Sequence, residues 1–167
     1  MSHGHRDEKM ISTSIPLAWL LPAAALYFCF ALRLSMIDFR TMLLPDRLTL
    51  PLLWLGLLFH SLVSPHHLCH AVYGAVAGYL CLWLVFQLFK YATGKAGLGY
   101  GDFKLLAAIG AWNYWQNLPL VLAIASLLGL VYTGALSLCK RRRSAEVPFG
   151  PWLAIAGWGN FAWQMLG

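Results

Sequence analysis

From Leu48 to Phe89 the chain reads LTLPLLWLGLLFHSLVSPHHLCHAVYGAVAGYLCLWLVFQLF, 42 residues without an Asp, Glu, Lys or Arg. One helical crossing of a bilayer takes about 20 apolar residues. The run is therefore long enough for two crossings, broken at the polar segment from His60 to Leu68. Three more stretches lack charge in the same way: Ile15–Leu32 (18 residues), Leu105–Cys139 (35) and Val147–Gly167 (21). The first and last hold one crossing each. Leu105–Cys139 holds two if the earlier one starts upstream, near Leu98. Its break is then Asn113-Tyr-Trp-Gln-Asn-Leu-Pro119, an aromatic and amide-rich turn suited to a membrane interface. The expectation is six helices, over about 15–36, 44–63, 68–91, 99–115, 118–138 and 148–166. The fold class is all-α, a polytopic integral membrane protein: a hydrophilic tail over 1–14, then one membrane-embedded domain over 15–167.

Composition supports this. Of 167 residues, 60% are hydrophobic and 11% charged, against about 45–50% and about 25% in soluble domains. So few charges cannot coat a soluble fold, and 14% aromatics exclude disorder. The net charge of +6 does not indicate nucleic acid, because the basic residues lie between apolar stretches rather than along one stripe. The lipid bilayer is the expected surrounding. In the six-helix reading, Arg33, Arg40, Arg47, Lys90, Lys95, Lys104 and the Lys140–Arg143 run share one face. That is ten of the twelve basic residues, and the face is assigned to the cytoplasm. Only Arg6 and Lys9 lie opposite. No secretory signal is expected, since the first apolar run leads into Arg33 and Asp38 without a small-residue cleavage site.

Cys29, Cys69, Cys81 and Cys139 show no CxxC spacing, so neither a disulfide nor a zinc site is indicated, and small apolar filler is their expected role. His3, His5, His60, His66, His67 and His70 all fall on the outer face. The group His66-His67-Leu-Cys69-His70 has metal-ligating residue types, but a polar interfacial loop is the better explanation, and no metal is expected.

Six carboxylates exist. Asp7 and Glu8 lie in the tail, and Glu146 neighbours the Lys140–Arg143 run. Asp38, Asp46 and Asp102 remain, all at helix ends on the cytoplasmic face. Carboxylates at membrane depth are costly and mark function. Each also has a cation nearby in sequence (Arg40, Arg47, Lys104), so charge pairing is the plain alternative. Asp102 follows Gly97-Leu-Gly99-Tyr-Gly101, a backbone able to take positive φ and to be approached closely. Two carboxylates can divide general acid and general base work when their environments differ. Asp102 is one candidate. Asp38 and Asp46 compete for the second place, and spacing does not choose between them.

The segment Ser35-Met-Ile-Asp38-Phe-Arg-Thr-Met-Leu-Leu-Pro45-Asp46, continuing to Gly56, resembles the first signature of the type IV prepilin leader peptidases. Gly97-Leu-Gly99-Tyr-Gly101-Asp102-Phe-Lys104, continuing to Trp112, resembles their second, the GxGD motif. Pro148-Phe-Gly-Pro151 resembles a third segment. The likeness runs from about Tyr27 to Gly157. It implies a membrane-embedded aspartic endopeptidase of the bacterial inner membrane, with its active site on the cytoplasmic side. Its substrates would be type IV prepilins and the pilin-like subunits, or pseudopilins, of type II secretion, which lose a short basic leader. The catalytic pair it implies is Asp38 and Asp102, with Gly99 and Gly101 in the active-site loop. Asp46 falls outside the pair and is expected to cap the helix that follows it. Longer members carry an added N-terminal part, often with CxxC motifs, and methylate the new N-terminus with S-adenosylmethionine. These 167 residues show no such segment, so methylation is not expected and hydrolysis calls for no cofactor.

Two other readings fit the residues: a small proton- or ion-coupled transporter using Asp38 and Asp102 as carriers, and an inactive assembly factor. The small-residue stripe Ala71-Val-Tyr-Gly74-Ala-Val-Ala77-Gly78 suits close helix approach, either by a substrate helix or by another helix of the same chain.

Overall fold

The structure is a computed structural model that describes residues 17–94, 99–138 and 148–166. Helices α1 (Leu17–Thr41), α2 (Asp46–Val63), α3 (Leu68–Thr93), α4 (Tyr100–Leu138) and α5 (Gly150–Leu166) account for almost all of it, with a short 3₁₀ turn over Pro65–His67. The chain is all-α. Four helical stretches are long and apolar enough to cross a membrane, Trp19–Thr41, Asp46–Val63, Pro65–Thr93 and Tyr100–Ala135, which makes this a polytopic membrane protein. α5, with 17 residues, is not among them. The expected 1–14 tail, Gly97 and the Lys140–Arg143 run lie outside the described residues.

α4 is two helices in one. At Tyr114 the backbone leaves helical geometry (φ 64°, ψ 162°). The first arm, 100–113, ends there, and the second, 115–138, runs back the other way. The start of α5 packs beside the far part of the second arm, with Trp152 against Gly129 and Tyr132, while later α5 residues meet Asn113. A non-glycine residue in such a conformation costs about 1–3 kcal/mol and persists only where its surroundings hold it. Here the Tyr114 hydroxyl and His60 Nδ1 are 3.2 Å apart, and Asn117 Nδ2 donates to the Asn113 carbonyl at 2.8 Å. The interruption thus falls within the segment expected from sequence. Pro119 lies inside the second arm rather than at the break.

The first arm of α4 is the centre of the molecule. Phe103 and every residue from Leu105 to Asn113 are buried. A helix apolar on all sides needs neighbours on all sides, and α2, α3 and α5 supply them. α3 contributes Ala71, Gly74, Gly78, Leu82 and Phe86, one stripe at helical spacing. Gly74 and Gly110 bring the two backbones so close that a β-carbon on either would collide with the other's carbonyl. The small-residue stripe therefore packs the chain against itself, where sequence had also allowed an incoming helix. The cysteines are not core filler either: Cys29, Cys69 and Cys81 are free thiols on exposed helix faces, and Cys139 lies outside the described residues.

α1 ends later than expected, at Thr41 rather than near residue 36. Charges at Arg33, Asp38 and Arg40 suggested a loop edge. Yet Tyr27, Ala31, Leu34 and Asp38 are buried at spacings of four, three and four, so Asp38 continues the core-facing stripe. The helix closes only when the Met42 N–H, with Met42 at φ 53°, donates to the Asp38 carbonyl at 3.0 Å.

Candidate active site

Three helix ends meet at the end of the bundle opposite Tyr114. Asp38 comes from the last turns of α1, Asp102 from the first turn of α4, and Gly150 opens α5. Asp38 and Asp102 are only 4% and 8% exposed. They lie close enough for the charge of one to act on the other. Neither forms an ion pair among the described residues. Asp38 Oδ2 accepts a hydrogen bond from the Gly150 backbone N–H at 3.1 Å. The Asp102 N–H donates to the Gly99 carbonyl at 3.1 Å, which starts α4.

Asp46 is different in kind. Its carboxylate receives Lys104 Nζ at 2.6 and 2.7 Å, and its side chain is 54% exposed. It does not cap α2 as expected: Pro45 occupies the cap position, Asp46 is the first helical residue, and no side-chain cap bond forms. As the first residue inside the helix rather than the residue before it, Asp46 is not in the position from which a side chain caps. The cation that sequence placed beside Asp102 is thus bound to Asp46, across helices. Charge pairing explains Asp46 and leaves Asp38 and Asp102 unexplained by it.

The glycines divide in the same way. A β-carbon at Gly101 would fall 2.6 Å from Leu44 Cβ, so that close approach needs glycine. One at Gly99 would meet only Asp102 Oδ2, at 3.8 Å, an ordinary contact. Neither takes the positive φ that sequence had allowed; among the described glycines only Gly94, at the end of α3, does. Leu44, in the short link between α1 and α2, is buried against Gly101 and also borders Gly150. Sequence reasoning gave Leu44 and Gly150 no role. For Gly150 the signal existed in Pro148-Phe-Gly-Pro151, but contact with Asp38, 112 residues away in the chain, cannot be read from spacing.

Chemically, two buried carboxylates at one meeting of helix ends, close enough for their charges to interact, can hold a water and share the moving of its protons. Among the described residues no group of three or more His, Cys, Asp or Glu side chains is gathered in a way that could hold a metal ion.

Comparison with known proteins bears on this pair. The chain is 56% identical over 144 residues to a prepilin leader peptidase/N-methyltransferase of Escherichia coli (strain K12), covering 84% of this chain and 64% of that protein. A protein of the same name from Aeromonas salmonicida (strain A449) is 50% identical over 155 residues, 92% of this chain and 53% of the relative. One from Pseudomonas aeruginosa is 51% identical over 149 residues, 87% and 50%. The chain thus spans about half to two-thirds of the length of these relatives. No solved structure matches it. The model of the type IV leader peptidase family matches residues 25–134, a stretch that contains both buried aspartates and stops short of Gly150. With most of its length in that match, and with both buried aspartates inside it, the chain belongs to the type IV leader peptidase family.

Proposed function

We propose that this protein is a membrane-embedded aspartic endopeptidase that removes the basic leader from type IV prepilins and type II secretion pseudopilins, with Asp38 and Asp102 as its catalytic pair. The observation that carries the reading is the sorting of three carboxylates. Asp46 is exposed and bound by Lys104, whereas Asp38 and Asp102 are buried, within reach of each other's charge and without a cation among the described residues. Burying a carboxylate without a counter-ion is costly, and a structural role would not need two together. The relatives' name, prepilin leader peptidase, supports the substrate class.

The chemistry follows from the pair. The ionised carboxylate takes a proton from a water molecule as the water oxygen bonds to the scissile carbonyl carbon. The protonated partner gives its proton to the carbonyl oxygen. When the tetrahedral species collapses, the C–N bond breaks, the leaving amine takes the proton from the first carboxyl group, and the hydroxyl proton returns to the second. Atoms and charge balance with water alone, and methylation lies outside this scheme. The protein would sit in the bacterial inner membrane, crossing it six times with the two arms of α4 counted separately. The Asp38–Asp102 end would face the cytoplasm, where ten of twelve basic residues fall.

The test is cleavage of a purified prepilin by the purified chain in detergent, with mass spectrometry of the product N-terminus. Cleavage is expected from the parent and not from Asp38→Ala or Asp102→Ala. Full activity in either variant overturns the assignment. An uncleaved leader with the parent overturns the peptidase reading itself.

A further inference from the structure

We propose that Gly150 is a positioning residue whose backbone N–H holds Asp38 as the ionised member of the pair and so leaves the shared proton on Asp102. The inference rests on the peptidase reading for its consequence but on separate geometry for its content. Gly150 is the first residue of α5, a helix of 17 residues. The first N–H groups of a helix have no partner within it. In α5 the Leu153 N–H is taken by the Phe149 carbonyl, and Pro151 has none to give. The Gly150 N–H is therefore unclaimed by its own helix, and it points at Asp38 Oδ2, 3.1 Å away.

Every group facing the pair bears on where the proton rests. Asp38 sees the Gly150 amide from α5 and the Asp102 carboxyl from α4, and Arg40 on its own helix is exposed. Asp38 lies in the last turn of α1, whose dipole opposes a negative charge, while Asp102 lies in the first turn of α4, whose dipole favours one. Against that, the Asp102 carboxylate has only a looser backbone contact from Gly99 among the described residues, whereas Asp38 accepts a well-formed hydrogen bond of 3.1 Å from the positive end of α5. A direct hydrogen bond to a charged oxygen is a larger effect than a helix end acting at a distance. Two buried carboxylates whose charges act on each other do not both ionise, so the one with the well-formed hydrogen bond carries the charge. Asp38 is then the base that takes the proton from water, and Asp102 the acid that protonates the carbonyl oxygen.

Gly150 also has to be glycine. A β-carbon there would fall 2.6 Å from Asp38 Oδ2 and 3.0 Å from its Cγ, so any side chain displaces the carboxylate. Misplacing a reacting group by about 1 Å costs on the order of 100-fold in rate.

Two measurements test this on the full chain in detergent. In prepilin cleavage, Gly150→Ala is expected to lower kcat on the order of 100-fold with KM nearly unchanged. Gly159→Ala on the same helix, where a β-carbon meets nothing within 4 Å, keeps parental kcat. Parental kcat in Gly150→Ala overturns the positioning role. In infrared spectra at neutral pH, the carbonyl band of a protonated carboxyl is expected in the parent and in Asp38→Asn and absent from Asp102→Asn. The opposite pattern puts the proton on Asp38 and overturns the assignment. The spectra do not depend on turnover, so a parent that fails to cleave prepilin refutes the peptidase reading and leaves this result standing.

Discussion

The two ends of the bundle bury polar side chains in opposite ways. At the Tyr114 end, Asn113 is wholly buried and its amide is fully used. Its Nδ2 donates to the carbonyls of Ile109 and Gly157, both at 3.1 Å, and its Oδ1 accepts from Asn160 at 2.9 Å and Gln164 at 3.2 Å. His60, beside it and also buried, has partners on both ring nitrogens, the Trp112 carbonyl and the Tyr114 hydroxyl. At the other end, Asp38 has one backbone donor, and no ion pair reaches it or Asp102 among the described residues. A neutral network with every atom partnered ties helices together and is inert. Charged groups buried with few partners stay available to a substrate and to water. The contrast teaches that burial alone does not mark a site; burial with partners left open does.

The sharpest way to break the comparison is at the open end. Asp38→Ala and Asp102→Ala are each expected to lower cleavage by about 100-fold or more, with little change in thermal unfolding measured in detergent. A large loss of stability with cleavage retained would reverse the roles of the two ends. Next is the crossing that holds α3 to the first arm of α4. Gly74→Val sets a side chain against the Gly110 backbone, and the expected loss exceeds the about 1–3 kcal/mol of ordinary overpacking, since backbone must move. Reduced accumulation of folded protein is the readout, and Gly134→Ala, which meets nothing within 4 Å, is the tolerated control.

At the closed end, Asn113→Ala strands Asn160, Gln164 and the Gly157 carbonyl. A loss of about 1–3 kcal/mol is expected, seen as earlier thermal unfolding, with cleavage by the folded fraction unchanged. Lost cleavage without lost stability would mean that this network takes part in the chemistry. The smallest effect belongs to Asp46→Ala. The Asp46–Lys104 pair is largely exposed, and such pairs contribute about 1 kcal/mol or less. Unfolding shifts slightly and cleavage persists; abolished cleavage would place Asp46 in the pair and break the sorting on which the function rests.

Much of the fold is legible residue by residue. The charge-free runs locate the helices, and Asn113-Tyr-Trp-Gln-Asn-Leu-Pro119 marks the interruption, which falls at Tyr114. Helix ends are less legible. α1 runs on through Asp38 because a carboxylate in step with Tyr27, Ala31 and Leu34 keeps the helix period while breaking the apolar pattern. Asp46 looked like a cap because its neighbours in sequence suit one, but Pro45 takes that position and the Asp46 carboxylate meets Lys104, 58 residues away.

The sequence by itself determined that the chain is helical and membrane-embedded, and which three carboxylates deserve weight. These follow from local composition and period, since a bilayer demands long uncharged helices and makes every charge within them conspicuous. Only the tertiary structure decided which carboxylate Lys104 binds, which glycines are needed for close approach, and that α5 brings a backbone donor to Asp38. Those are meetings between residues tens of positions apart, and they depend on how the helices cross, which no local pattern encodes.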